Sequence, residues 1–329
     1  MGILVCGGAG YIGSHAVAEL LERGEEVIVA DNMQKGHAAG VMEGAVLYNG
    51  DLREEAFLDR IFTENRIDAV MHFAADSLVG ESVHEPLKYY DNNVGGAIAL
   101  LKAMKKHDVK NIVFSSTAAV YGEPKEIPIV ETAETSPTNP YGETKLAIEK
   151  MLKWCEQAYG LRYVVLRYFN VAGAHSNGII GEDHNPETHL IPIILEAALG
   201  KRKEIAIYGE DYDTPDGTCI RDYIHVMDLV DAHILAIEKL QKTGESGTYN
   251  LGNGNGFSVK EVVDAARKVT GRAIPAVVAE RRAGDPARLV ASSDKARNEL
   301  GWEPKRASLE TMIESAWNWF QKHPQGYGQ

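Results

Sequence analysis

Short apolar runs alternate with amphipathic stretches through the first half of the chain. The runs are Ile3–Val5, Glu26–Ala30, Ala45–Tyr48, Ala69–Phe73, Ile112–Phe114 and Tyr163–Leu166. Between them, Ala16–Arg23, Glu54–Thr63, about Leu87–Lys106 and Tyr141–Tyr159 carry apolar residues at helical spacing. Runs of strand length separated by helices predict a parallel sheet covered on both faces. The pattern loosens after about residue 170. Ala172–Thr188 is rich in Gly, Asn, His and acidic residues. Beyond it we expect a helix over Leu190–Leu199, a strand over Glu204–Tyr208 and turns over Gly209–Gly217. A helix over Val226–Leu240, a strand over Thr248–Leu251 and a helix over Ser258–Val269, capped by Ser258, complete the pattern.

No repeat, low-complexity tract or flexible linker interrupts the chain, so its two parts are expected to pack closely around a cleft. The division expected is a nucleotide-binding domain over 1–171 with a returning segment at about 219–245. A smaller substrate domain takes 172–218 and 246–329.

Length and composition narrow the classes. With 329 residues, 44% of them hydrophobic, the chain can bury a large core. A formal net charge of −13 makes it a poor ligand for phosphate backbones, so no nucleic-acid partner is expected. An anionic ligand would need locally placed Arg or Lys. No apolar run is long enough to span a bilayer, and the apolar start leads into glycines with no basic flank or cleavage site. It reads as a strand, and the expected location is cytoplasmic with no membrane partner. Cys6, Cys155 and Cys219 are far apart and in no ligand spacing, as reduced thiols would be. His184 and His189 lie in a polar loop without an HExxH frame, so they read as structural or surface residues, and no metal is expected.

Candidate chemistry begins at Gly7-Gly8-Ala9-Gly10-Tyr11-Ile12-Gly13, between the first strand and the first helix. Glycines there let the backbone turn tightly and approach a pyrophosphate at a helix N-terminus. The second run ends at Asp31, 18 residues after Gly13. A carboxylate there accepts from ribose hydroxyls and repels a 2′-phosphate, so NAD is the cofactor expected. The fold class is then α/β, a Rossmann-type doubly wound parallel sheet with a smaller mixed α/β domain. Asp51-Leu52 closes the third run and fits either an adenine contact or a helix cap. Phe73-Ala74-Ala75 ends the fourth, where small residues allow a ligand's close approach.

Tyr141 and Lys145 are four apart and share one face of a helix. An ammonium beside a phenol favours the phenolate, bringing its pKa from the usual ~10 toward neutrality. Tyr141 could then act as a general base on a substrate hydroxyl. Thr117, closing Phe114-Ser115-Ser116-Thr117, is either a proton relay or a turn hydroxyl.

With these motifs the chain resembles the extended short-chain dehydrogenase/reductase superfamily, and within it the family of UDP-glucose 4-epimerases. The resemblance runs nearly end to end. It includes Tyr89–Asn93, Ser115–Gly122, Leu166-Arg167-Tyr168-Phe169-Asn170, Gly173-Ala174-His175, Arg221–Val226, Arg281–Asp285 and His323–Tyr327. It implies Tyr141 as base, Lys145 on the nicotinamide ribose and Thr117 beside the sugar 4-hydroxyl. It implies Asn32, Ala75, Asn93, Ser115 and Phe169 around the cofactor. Asn170, Leu190 and Tyr208 would line the substrate, Arg221 and Arg282 would clamp a UDP diphosphate, and Asp285 would hold the uridine ribose. The arginines suit that task, because planar guanidinium forks match diphosphate oxygens; most arginines in any chain are surface salt-bridge partners instead.

Two departures from the family pattern stand out. Ser77 replaces a lysine near the cofactor pyrophosphate, and Leu289 stands where some members narrow the sugar pocket with a tyrosine. The smaller Leu289 suggests that UDP-N-acetylhexosamines are accepted beside UDP-hexoses. Ala118-Ala119 cannot move protons, which argues against a 4,6-dehydratase, and no Glu in that stretch supports a decarboxylase. A UDP-glucuronate 4-epimerase is the remaining alternative. A non-catalytic NAD sensor would be expected to lack the Tyr or the Lys. The resemblance also implies a homodimer built on helices near Asn93–His107 and Tyr141–Tyr159.

Overall fold

Seven parallel strands form the central sheet of the computed structural model, which describes residues 1–282 and 285–328. The first half runs β1 (Gly2–Cys6), α1 (Tyr11–Glu22), β2 (Glu26–Asp31), β3 (Val46–Asn49), α2 (Glu55–Glu64) and β4 (Ala69–His72). Then come α3 (Val79–His84), α4 (Pro86–Tyr89), α5 (Gly96–Lys106), β5 (Asn111–Thr117), α6 (Pro140–Tyr159) and β6 (Arg162–Tyr168). The second half holds β7 (Asn170–Ala172), α7 (Leu190–Ala198), β8 (Ile205–Tyr208), β9 (Ile220–Arg221), β10 (Tyr223–His225) and α8 (Val226–Thr243). It ends with β11 (Gly247–Leu251), β12 (Phe257–Ser258), α9 (Val259–Thr270), β13 (Ala276–Ala279), β14 (Arg288–Leu289), α10 (Asp294–Leu300) and α11 (Leu309–Lys322).

Strand order is β3-β2-β1-β4-β5-β6-β11, the doubly wound arrangement with its switch point between β1 and β4. Strand side chains alternate between two cores, as a pleat requires. Ile3 and Val5 join α1 and α8 on one face; Leu4 and Cys6 join α2, α5 and α6 on the other. A third core, under α7, α9 and α11, belongs to the smaller part.

The pattern over Leu87–Lys106 is not one helix. Pro86 starts α4, and a π-helical turn over Tyr90–Gly95 joins it to α5. The wider turn carries Asn93 inward, to 1% exposure. There Asn93 Oδ1 accepts from the Asp76 N–H at 2.8 Å, and Nδ2 donates to Asp76 O at 3.0 Å and to Thr144 Oγ1 at 3.1 Å. The loop after β4 is thereby pinned to α6.

The return of the chain to the large sheet extends beyond 219–245. β11 pairs with β6 as the seventh strand, and Trp302 packs in the α1–α8 core while its Nε1 donates to Asp228 O at 2.8 Å. Tyr249, Asn250 and Leu251 are buried on both faces of β11, with Asn250 satisfied by hydrogen bonds to Ile129 O and from the Tyr121 hydroxyl, so the strand belongs to the large sheet and not to the smaller part. Ser258 does cap α9, in a capping box with Glu261.

Candidate active site

The glycine turn at the end of β1 is packed too closely for any side chain at two of its positions. A Cβ on Gly13 would lie 2.0 Å from Gly7 O, and one on Gly7, whose φ is +80°, 2.6 Å from Ala74 N. The Phe73 and Ala74 N–H groups both donate to Cys6 O, at 2.9 and 3.0 Å, so Phe73-Ala74-Ala75 lies across this turn. Gly10 begins α1 with no side-chain cap. The first-turn N–H groups at Tyr11 and Ile12 and the positive helix end are available to a pyrophosphate. Asp31 closes β2 beside them. Its two oxygens accept from the Ala9 and Met33 N–H groups at 3.0 and 2.9 Å, each keeping a lone pair for a ribose hydroxyl. These residues fit a dinucleotide.

Other expected cofactor residues are already engaged. Asn32 Oδ1 accepts from the Gln34 N–H at 3.0 Å. Asp51 accepts from Arg53 Nε at 3.0 Å, and hydrogen bonding to that guanidinium holds its carboxyl below the usual range. Leu52 is buried beside it. Asn93 spends its polar atoms on the pinned loop. Ser115 Oγ meets the Tyr168 hydroxyl at 2.8 Å and His233 Nε2 at 3.1 Å. Tyr11 donates its hydroxyl to Gly173 O at 2.6 Å, which ties the glycine turn to the second half.

Tyr141, Lys145 and Thr117 come together at the carboxyl ends of β5 and β6. Asn139 caps α6 by accepting from the Gly142 N–H at 2.9 Å, and Pro140 takes the first helical position. Lys145 Nζ donates to Ser115 O at 2.8 Å and lies 5.9 Å from the Tyr141 ring centre. Thr117 Oγ1 accepts from the Ala119 N–H at 3.1 Å, leaving its proton for the Tyr141 hydroxyl it faces. Burial pushes Tyr141 up to about 12, and the Thr117 hydrogen bond draws it only partly back. Burial pulls Lys145 down to about 7, against the opposing pull of Glu149. The expected lowering of Tyr141 is therefore reversed in the protein alone. Residue types along the chain display the neighbouring charge but not the desolvation of the phenolate, and desolvation is the larger effect.

Two positioning residues escaped the sequence reading. Glu149 lies one helical turn beyond Lys145 and accepts from Arg167 Nε at 3.0 Å; both are buried. Arg167 Nη1 donates to the Tyr121 hydroxyl at 2.8 Å, which donates to Asn250 Oδ1 at 2.7 Å. This network joins α6, β6, the turn after β5 and β11. Its sequence signal was the i, i+4 spacing of Lys145 and Glu149 on a face already assigned to chemistry.

The second half supplies the other wall. Arg221 on β9 pairs in register with Leu289 on β14, and its Nη2 reaches Asp285 Oδ1 at 3.2 Å. Its Nη1 donates to Ile220 O and Pro286 O, both at 2.9 Å. The Arg282 guanidinium stacks over Tyr208 at 4.0 Å. Ala283 and Gly284, within the Arg281–Asp285 motif, lie outside the described residues. Leu289, Phe169 and Ala118 pack around Val120, Tyr121, Ile129 and Leu146. Asn170 Nδ2 donates to Asp222 O at 3.3 Å, and Leu190 opens α7. Ala118–Tyr121 form a 3-10 turn whose two alanines offer no proton donor.

A dinucleotide cradle facing a Tyr-Lys-Thr cluster defines a nicotinamide-dependent enzyme of the short-chain dehydrogenase type. The chain belongs to the NAD dependent epimerase/dehydratase family, whose profile matches residues 3–252. It is 66% identical to a UDP-glucose 4-epimerase of Halalkalibacterium halodurans over 99% of this chain and 98% of that protein. A crystal structure of UDP-glucose 4-epimerase superposes with a TM-score of 0.99 at 63% identity, covering 100% of both chains. The UDP-glucose 4-epimerase of Bifidobacterium longum, solved with NAD+ and UDP, gives a TM-score of 0.94 at 45% identity, covering 99% of this chain and 100% of that one.

A depressed Lys145 pKa has a testable sign. Between about pH 7 and its ordinary value of 10.5, the unfolded chain holds a proton on Lys145 that the folded chain has lost. Stability contributed at this site therefore rises with pH across that window, and below it the full burial penalty applies. Urea unfolding should show the parent chain gaining on Lys145→Met from pH 7 to 10, by about 1.4 kcal/mol at most for each pH step of one. A constant difference between the two would contradict a buried, depressed lysine.

Proposed function

We propose that the protein inverts C4 of UDP-hexoses, interconverting UDP-glucose and UDP-galactose with NAD held through turnover. The observation that carries this reading is the convergence of Tyr141, Thr117 and Lys145 on the end of β5 beside the glycine cradle. Bound NAD supplies a hydride acceptor and donor for C4 and a positive ring that favours the Tyr141 phenolate. In this reading Tyr141 removes the 4-hydroxyl proton and later returns it. Thr117 lies beside the phenolic oxygen to relay that proton. Lys145 holds the ribose and, in its protonated form, compensates the phenolate charge. Arg221 and Arg282 hold the diphosphate, Asp285 the uridine ribose, and the sugar turns about that anchor to offer either face. The whole-chain relatives favour the hexose over the uronate alternative.

Leu289, packed in one cluster with Phe169, puts a smaller side chain where some members of the family narrow the sugar pocket with a tyrosine, which supports acceptance of an N-acetyl group at C2. Pairing of two copies is supported by exposed apolar side chains on the helices expected at the interface, Ile98 on α5 and Trp154, 69% exposed, on α6, and by exposed Leu87 and Tyr90 just before α5. No helix of the described residues is long and apolar enough to cross a membrane. The formal net charge of −13 supports a chain that acts without nucleic acid, and the free thiols Cys6, Cys155 and Cys219 support a reducing, cytoplasmic setting.

Without added NAD, the purified protein should epimerise UDP-glucose and UDP-N-acetylglucosamine and leave UDP-glucuronate unchanged. Tyr141→Phe should lower turnover about 10²–10⁴-fold with UDP affinity retained, as expected for loss of a general base. Activity close to the parent in that variant would remove Tyr141 from the chemistry. Light scattering should give twice the chain mass, and Trp154→Glu should shift it toward one; a monomer of the parent protein would overturn the interface.

A further inference from the structure

The loop between β7 and α7 gathers two histidines and two glutamates at one point. They are spaced Glu182-x-His184-x-x-Glu187-x-His189. One ligand atom from each lies within 4.8 Å of the others. His189 Nδ1 is 3.1 Å from Glu182 Oε1 and 3.0 Å from Glu187 Oε1. His184 Nδ1 is 3.2 Å from Glu182 Oε1 and 3.7 Å from Glu187 Oε2. A tetrahedral ion with bonds of about 2.0–2.1 Å separates its ligand atoms by about 3.3–3.4 Å. The observed separations bracket that value.

Three further features point to a ligand. His184 Nδ1 is buried and makes no hydrogen bond although Glu182 is within reach, so direction and not distance excludes the bond. Both glutamate side chains are 6% exposed, whereas His189 is 46% exposed and leaves a way in. The loop is also fixed from outside. Trp319 Nε1 donates to Glu182 O at 3.3 Å, the Tyr327 N–H to Asp183 Oδ2 at 2.9 Å, and Lys35 Nζ to Asn185 O at 2.6 Å. Residues 182, 183 and 185 are thus held by contacts that do not depend on the four side chains.

We propose that Glu182, His184, Glu187 and His189 form a structural site for one divalent transition-metal ion of the zinc type. A mixed set of two imidazoles and two carboxylates suits that ion better than calcium or magnesium, which take shells of oxygen ligands. All four positions are filled by the chain, so the ion has no open position for catalysis. The ion would brace the second half against the cofactor turn, because the Tyr11 ring meets His184 edge-on at 6.2 Å and His189 directly precedes Leu190. This assignment stands apart from the epimerase reading.

The test uses untagged full-length protein, stripped with a chelator and titrated with Co2+ as a visible probe. One equivalent per chain should saturate an intense band of four-coordinate cobalt, Zn2+ should displace it, and Zn2+ alone should raise Tm. His184→Ala should abolish the band. Glu187→Gln, which keeps the shape, should weaken binding more than about tenfold. Retained NAD reports that each variant is folded. No band saturating at one equivalent, or full-strength binding in Glu187→Gln, overturns the site.

Discussion

Burial of an ammonium at the carboxyl end of β5 is the constraint on which the site depends. Lys145 is 3% exposed and has Ser115 O as its hydrogen-bond acceptor. An ion in such a place loses hydration worth several kcal/mol, so a small shift of α6 would be costly. The helix is fixed accordingly. Asn139 and Pro140 set its start, and Glu149 binds Arg167, which reaches Tyr121 and through it Asn250. Tyr141, one turn before Lys145, is thereby delivered to Thr117.

The second half is held to this frame by polar contacts at similar depth. Asp222 is buried, and its carboxylate accepts from the N–H groups of Ala291 at 3.1 Å and Gly254 at 3.3 Å, and from Asn253. Burial raises its pKa against those donors. One side chain thus joins β9, the loop after β11 and the segment after β14. Arg221 sits directly before it, so its guanidinium is aimed by a neighbour that cannot move freely. The ligand space lies between this wall and the strand ends, outside the switch point of the sheet, where open α/β folds place their ligands.

Much of this was legible along the chain. Each apolar run of the first half became a strand; the inner strands are buried on both faces and leave a continuous signal, whereas β3, at the edge, keeps only Tyr48 buried. The glycine turn was legible because backbone geometry demands glycine there, and Asp31 because a carboxylate at that strand end has the acceptors a ribose needs. The π-helical turn at Asn93 was not, since hydrophobic spacing does not distinguish it from an ordinary helix. The two-residue strands β9 and β14 are too short to carry a period, so the pairing of Arg221 with Leu289 needed the fold. The Glu182–His189 cluster was hidden by an irregular spacing that matches no helical frame. The direction of the Tyr141 shift needed the depth of burial, which neighbouring residue types do not report.

The proposed function requires oxidation and reduction at the same carbon within one site. UDP-glucose carrying deuterium at C4 tests it directly. Converted in ordinary water, it should give UDP-galactose with the deuterium still on C4, because the hydrogen leaves and returns without meeting solvent. Product with protium at C4 would contradict that claim.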